Sequence, residues 1–321
     1  MADTAAPLAE LDKVADAGRI RSRKLDGGIA TLVVDVTGLG DQDRSALERS
    51  LRSAALGIAG VSEVRIALTA AQQSRTIVAV GSGKGGVGKS TLTTNLAIAL
   101  ARAGKRVGVI DADIYGPSQP TLLGSEEKPR AENDRLIPVA AHGIRFLSLG
   151  QLVGAGQALA WRGPMATGAL SRLIEADWGD CEIILVDLPP GTGDVQLTLL
   201  QKARPAGAVV VSTPQDLSLI DARRAIDLFG KLNVPVLGLV ENMASYVCPH
   251  CGESSDPFGT GSVEREAAAI GVPFLGRLPL SRAIRAASDE GVPPASGTGS
   301  ESDAFAELAG KLLTALDTAA A

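Results

Sequence analysis

Three short runs in this chain bring together residue types that do chemistry. Gly81-Ser-Gly-Lys-Gly-Gly-Val-Gly-Lys-Ser-Thr91 meets the pattern Gly-x-x-x-x-Gly-Lys-[Ser/Thr] at Gly83, Gly88, Lys89 and Ser90. Glycines let successive backbone N–H groups turn inward, so Gly83, Gly85, Gly86, Val87, Gly88, Lys89, Ser90 and Thr91 are suited to cradle a polyphosphate. Lys89 is placed to neutralise the β and γ oxygens, and the Ser90 hydroxyl to ligate Mg2+. A second lysine, Lys84, has no job in that cradle. From the outer limb it reaches a phosphate only by folding back or by crossing to a neighbouring subunit, which points to a homodimer. The second run is acidic: Asp111-Ala-Asp113 and Asp187-Leu-Pro-Pro-Gly191-Thr-Gly-Asp194 each follow an apolar segment. An acid directly after a strand, beside a phosphate loop, is placed to hold Mg2+ through water, and Asp187 is the best placed. Asp111 and Asp194 also read as N-caps of the helices that follow. Pro189-Pro190 is stiff and Gly191 free, as suits a switch loop whose Gly191 N–H meets a γ-phosphate and releases it after hydrolysis.

The third run is Cys248-Pro-His-Cys251-Gly, which holds two of the three cysteines. Two thiolates are half of what a tetrahedral metal or an iron–sulfur cluster requires, and two subunits about a two-fold axis would supply four. A bridged cluster, a structural zinc and thiol redox exchange are the three chemistries open to this pair. The redox reading wants a strand-to-helix turn, whereas Gly252, Glu253, Ser254 and Ser255 follow here. His250 reads as a second candidate ligand or a solvated loop residue, and Cys181 as a small buried side chain.

These runs need a scaffold, and the hydrophobic pattern supplies one. Thr76–Val80 is an apolar β-branched strand ahead of the glycine loop, and Leu92, Leu96, Ala99 and Ala103 recur at helical spacing until Gly104. Further strands are expected at 106–110, 144–149, 182–186, 208–211, 234–240 and 272–275, separated by helical stretches. Continuous apolar strands alternating with helices predict a doubly wound, mostly parallel α/β sheet, whose ligands bind beyond the carboxyl ends of the strands. Residues 303–316 predict a closing helix. Residues 1–72 read as a separate small β-α-β domain, with strands at 28–36 and 61–68, a helix at 44–56 and a linker at 70–74; residues 73–321 form the larger domain.

Composition bounds the function. The chain has 321 residues, net charge −5 and 3% aromatics, which argues against a nucleic-acid partner. No apolar run approaches the roughly 20 residues that span a bilayer, and the N-terminus lacks the layout of a signal peptide, so a cytoplasmic protein with no membrane partner is expected.

Together, 83–91, 111–118 and 187–194 resemble the deviant Walker A ATPases, the group that contains the MinD, ParA and nitrogenase iron-protein families. The resemblance implies ATP held between two subunits, with Lys84 reaching the partner's site and Asp113 orienting the attacking water. It also implies adenine contacts at Asn242 and Pro279. ATP is expected over GTP, since no Asn-Lys-x-Asp run occurs. Longer stretches, Asp111–Ser118, Asp187–Asp194, Ser212-Thr-Pro-Gln-Asp216, Val240-Glu-Asn-Met243 and Phe274-Leu-Gly-Arg-Leu-Pro279, are similar to the Mrp/ApbC-type iron–sulfur cluster carriers. That subfamily implies a [4Fe–4S] cluster on Cys248 and Cys251 of two subunits, passed to apo-proteins and exchanged with a cluster assembly scaffold. Its small N-terminal domain resembles the MIP18-type fold, but residues 1–70 lack the cysteine often found there, which leaves a docking or structural role. A MinD/ParA-like positioning ATPase and a zinc-pinned regulatory ATPase are the alternatives. The first would want a basic C-terminal helix, and residues 301–321 hold one Lys and no Arg.

Overall fold

The computed structural model describes residues 6–13, 16–36, 39, 41–69, 75–114, 116–152 and 163–320. They fall into two compact units, Met1–Ser74 and Arg75–Ala321. The expected linker at 70–74 and Tyr115 lie outside the described residues.

In the smaller unit β1 (Ile20–Asp26) pairs antiparallel with β2 (Ile29–Asp35), which runs parallel to β3 (Glu63–Thr69); α1 (Asp41–Leu56) connects the last two. The expected β-α-β unit is therefore preceded by a strand that hydrophobic pattern does not reveal. Ile-Arg-Ser-Arg-Lys-Leu-Asp reads as polar because it is an edge strand whose charges are answered by neighbours. Arg21 meets Asp35 at 2.7 Å and Arg23 meets Asp12 at 2.9 Å. Ala30, Leu32 and Val34 on one face of β2 bury against Leu47, Leu51 and Ala55 of α1, with Leu8 and Leu11 closing the core.

The larger unit is built on eight strands. β4 (Thr76–Ser82) leads through the glycine loop into α2 (Lys89–Arg102), then β5 (Val107–Asp111) and the short α3 (Gln119–Leu122). A hairpin, β6 (Arg130–Glu132) with β7 (Arg135–Ile137), precedes β8 (Val139–Ala141), β9 (Ile144–Ser148), α4 (Gly163–Ile174), β10 (Ile183–Asp187) and α5 (Asp194–Ala203). β11 (Gly207–Ser212), α6 (Asp216–Lys231) and β12 (Val236–Glu241) follow. The two-residue strands β13 (Tyr246–Val247) and β14 (Ser254–Ser255) lie ahead of α7 (Ser262–Ile270), β15 (Phe274–Arg277), α8 (Arg282–Asp289) and α9 (Ser300–Ala320). The order across the sheet is β15-β12-β11-β4-β10-β5-β9-β8, parallel throughout except for the edge strand β8. Each strand expected in this part of the sequence is present within two residues of its expected ends. The β6–β7 hairpin and β8 were not foreseen, being only three residues each.

Helices cover both faces. Leu92, Leu96 and Leu100 of α2 and Phe305, Leu308 and Leu312 of α9 bury against one face. Leu170 and Leu173 of α4, Leu199 of α5 and Ala222 and Phe229 of α6 bury against the other. β4 is central, and the chain fills one side with β5, β9 and β10 before crossing to β11, β12 and β15 on the other. The carboxyl ends of β4, β5, β10, β11 and β12 thereby gather at a topological switch point, where open α/β sheets place their ligands.

Candidate nucleotide and thiol sites

The loop after β4 is shaped by its glycines for two different reasons. Gly86 and Gly88 have φ of 80° and 83°, the left-handed region that side chains avoid. Nothing lies within 4 Å of a Cβ placed on Gly85 or Gly86, so their inner side is open to an incoming group. Gly83 is different: a Cβ there would sit 2.0 Å from the Asp221 carbonyl carbon of α6, so this glycine admits a helix backbone. The open limb adjoins a cavity of about 280 Å3 lined by Lys84 through Thr91 together with Asp113, Ser118 and Pro190. The residues present fit a polyphosphate with a divalent cation: inward glycines, one lysine, one hydroxyl and one carboxylate.

Lys89 and Asp187 are joined beneath that cavity, the lysine 6% and the aspartate 0% exposed. Lys89 Nζ also reaches Ser90 Oγ at 3.3 Å. Asp187 is the last residue of β10 and lies level with Asp111 of β5 and Val80 of β4, which accounts for its place under the loop. Gln119, which sequence reasoning missed, knits the group together. Its Nε2 donates to Asp187 Oδ2 at 3.0 Å and to the Ser90 carbonyl at 3.2 Å, and its Oε1 accepts from Thr94 at 2.7 Å. The signal for it was only its place directly after the Asp111–Ser118 stretch.

Asp111 is wholly buried and takes the structural role. It accepts from the backbone N–H groups of Asp113, Ser118 and Gln119 and from Ser148 Oγ at 2.8 Å, fixing the loop that follows β5. Burial first, and then the charge of Asp187, push its carboxyl up to about 7 against those hydrogen bonds. Asp113 is turned instead to the cavity wall, its carboxylate accepting Gly116 N–H at 3.2 Å. Gly191, with φ 90°, donates its N–H to the Ser82 carbonyl at 3.2 Å, and the side chain of Asp194 is outside what is described.

Lys84 lies on the outer limb, where its Nζ is 3.5 Å from Gln215 Oε1 at the start of α6. Asn242, just past β12, packs on the loop: its Nδ2 donates to the Val87 carbonyl at 2.8 Å, and a Cβ on Gly88 would stand 2.2 Å from that nitrogen. Pro279 is brought to the same side, because Leu278 N–H bonds the Glu241 carbonyl at 2.8 Å and Leu280 N–H bonds the Ser245 carbonyl at 2.7 Å.

The thiols sit at the tip of a hairpin. β13 and β14 pair Tyr246 with Ser255 and Val247 with Ser254, and Cys248 N–H continues the ladder to the Glu253 carbonyl at 2.9 Å. Gly252 N–H returns to the Cys248 carbonyl at 2.9 Å, which closes a tight turn around Pro249 and His250. Backbone N–H groups of Cys251 and His250, with the Cys251 side chain, pull the Cys248 thiol below its ordinary range, a turn already suited to thiolate. Cys248 is half-buried and Cys251 exposed, while Cys181 is buried and its thiol is raised by burial. Among the described residues no three His, Cys, Asp or Glu side chains come together as a metal set.

A mostly parallel sheet whose central strand ends in this loop, with an acid at the end of the neighbouring strand, defines a P-loop NTPase of the MinD/ParA type. The chain belongs to the ParA family of NUBPL iron-transfer P-loop NTPases, whose model matches residues 73–313. It is 45% identical over 288 residues to the iron-sulfur cluster carrier protein of Deinococcus radiodurans, covering 86% of this chain and 82% of that one. It is also 46% identical over 260 residues to the Arabidopsis thaliana iron-sulfur protein required for NADH dehydrogenase, mitochondrial, covering 77% and 83%. Among solved structures it is similar to the nucleotide-binding protein of Archaeoglobus fulgidus in complex with ADP, with a TM-score of 0.62 and 38% identity over 70% of this chain and 89% of the other.

Proposed function

We propose that this protein is an ATP-hydrolysing iron–sulfur cluster carrier that holds a [4Fe–4S] cluster as cargo between two copies of the chain and hands it to apo-proteins. The observation that carries the reading is the preformed hairpin that brings an exposed Cys251 and a half-buried Cys248 to one turn, with no set of three metal-ligating side chains among the described residues, in a member of an iron-transfer family. Two such hairpins complete a four-thiolate site. The name of the Deinococcus relative supports the same cargo.

In this proposal the backbone N–H groups of Gly85 through Thr91 bind the phosphates. Lys89 exchanges Asp187 for phosphate oxygens and steadies the charge that develops in hydrolysis. Ser90 and Asp187 hold Mg2+, which would supply positive charge at those oxygens. Asp113 orients the attacking water, and Gly191 exchanges the Ser82 carbonyl for a γ-phosphate. Lys84 leaves Gln215 for the partner's site, so that hydrolysis reports dimer closure. Asn242 and Pro279 flank the adenine. Cluster is received from an assembly scaffold and delivered to apo clients in the cytoplasm, without nucleic acid or membrane. Among the described residues no helix is long and apolar enough to cross a membrane, and α9 buries Phe305, Leu308 and Leu312 in the core.

A zinc-pinned regulatory ATPase is the second reading, because the same hairpin is half of a zinc ribbon. Metal analysis of protein purified without oxygen decides between them. Iron with acid-labile sulfide, lost in Cys248→Ala and Cys251→Ala, is expected; stoichiometric zinc that survives anaerobic handling would overturn the cluster reading.

A further inference from the structure

The two sites share a single short piece of chain. Asn242 lies against the phosphate loop, Cys248 opens the thiol turn, and five residues separate them. Within that connection Met243 has φ 60°. An unbranched apolar side chain gains nothing from this left-handed conformation, unlike the Asn and Asp residues that adopt it in turns. It is held there by one contact in particular: Met243 N–H donates to Asn242 Oδ1 at 2.9 Å, while the Nδ2 of the same amide donates to the Val87 carbonyl. One side-chain amide therefore joins the phosphate loop to a strained residue.

On either side of Met243 the chain is pinned. Ala244 N–H bonds the Leu278 carbonyl at 3.0 Å. Where the excursion returns to α7, the wholly buried Glu241 carboxylate accepts Gly261 N–H and Val263 N–H, both at 2.9 Å. The far end of the excursion is thus anchored to β12, and the near end turns on Met243.

We propose that Met243 is a positioning residue, a strained joint through which occupancy of the phosphate loop re-aims the Cys248–Cys251 turn. This rests on the reading that the loop takes nucleotide and the turn takes the cargo. Asn242 packs so closely on Gly88 that any shift of Val87 and Gly88 toward a bound phosphate displaces its amide. Once Asn242 Oδ1 leaves Met243 N–H, the left-handed conformation loses its support and the residue relaxes to negative φ. That relaxation pulls Ala244 N–H from the Leu278 carbonyl and the Ser245 carbonyl from Leu280 N–H, so the chain entering Tyr246 rotates, and the thiols with it. The device works within one chain, so nucleotide should alter the thiols before any change in dimer geometry.

The test uses the full chain, metal-free and reduced, with iodoacetamide as probe and mass spectrometry to resolve Cys248 from Cys251. Rates are measured without nucleotide and at saturating Mg-ADP or a non-hydrolysable ATP analogue, and affinity is titrated in parallel. In the unaltered protein nucleotide should change the alkylation rate of the pair by about threefold or more, as expected when a two-position equilibrium loses the support of one position. Met243→Gly adopts either sign of φ freely and so folds; it should keep nucleotide affinity but lose roughly half or more of that response. Met243→Asn, which tolerates the left-handed region, should retain it. Normal nucleotide binding with unchanged alkylation in the parent protein, or a Gly variant that responds fully, overturns the joint alone. Failure to bind nucleotide at all overturns the nucleotide reading as well.

Discussion

Replacing Lys89 by Met tests the arrangement beneath the phosphate loop without any ligand. The pair with Asp187 is almost completely removed from water, and Asp187 keeps only Gln119 Nε2 at 3.0 Å and a long contact to Thr93 Oγ1 at 3.4 Å once the lysine is gone. Breaking a buried pair from one side costs about 3–5 kcal/mol, because the remaining charge is uncompensated. The surviving amide donor offsets about 1 kcal/mol of this, which leaves roughly 2–4 kcal/mol. Guanidinium unfolding followed by tryptophan fluorescence reports the larger unit, since both tryptophans lie within it and Trp178 is fully buried. Asp187→Leu added to Lys89→Met removes the stranded charge and should recover much of the loss. A single variant within about 0.5 kcal/mol of the parent, or a double variant as damaged as the sum of the singles, would refute the buried pair.

Other outcomes follow from the same geometry. Gly83→Ala should unfold or strongly destabilise the larger unit, because its methyl meets the α6 backbone, whereas Gly85→Ala should leave the unfolding midpoint unchanged and weaken nucleotide binding; equal stability of the two would contradict the packing. Asp111 titrates at about 7 when folded against an ordinary 3.8, so its contribution to stability is complete below the lower value and is lost as pH rises through the upper one. Asp111→Asn should therefore flatten the decline in unfolding midpoint over that window, and an unaltered slope would count against it. In the metal-free protein Cys248, lowered by the turn's N–H groups, should alkylate in a rate–pH profile at a lower pH than the same residue in the unfolded chain; an unchanged profile would mean the turn opens in solution.

Much of this was legible because the larger unit obeys simple periodicities. Buried parallel strands read as unbroken apolar runs, and chemistry at their ends is marked by aspartate after the run, as at Asp111 and Asp187. What escaped notice had a different physical origin. β1 is stabilised by ion pairs at an edge, so its sequence looks like a charged loop. Gly83 belongs to the phosphate motif by spacing, yet its Cβ space is taken by α6. Gln119 acts through contacts with Ser90, Thr94 and Asp187, all far from it in sequence, and nothing local distinguishes a buried bridging amide from a surface one. Asp111 read as an N-cap and Asp113, by resemblance, as a water-orienting carboxylate; that Asp111 anchors the whole loop from Asp113 to Gln119 and reaches Ser148 depends on which way the chain turns after β5.

In the proposed carrier two chains jointly hold one cluster. Anaerobic reconstitution with iron and sulfide, followed by native mass spectrometry, measures this directly. The expected species is a dimer carrying one [4Fe–4S] cluster, absent in Cys248→Ser and in Cys251→Ser. A cluster or zinc ion held by a single chain, or a dimer whose cluster survives loss of either thiol, would contradict it.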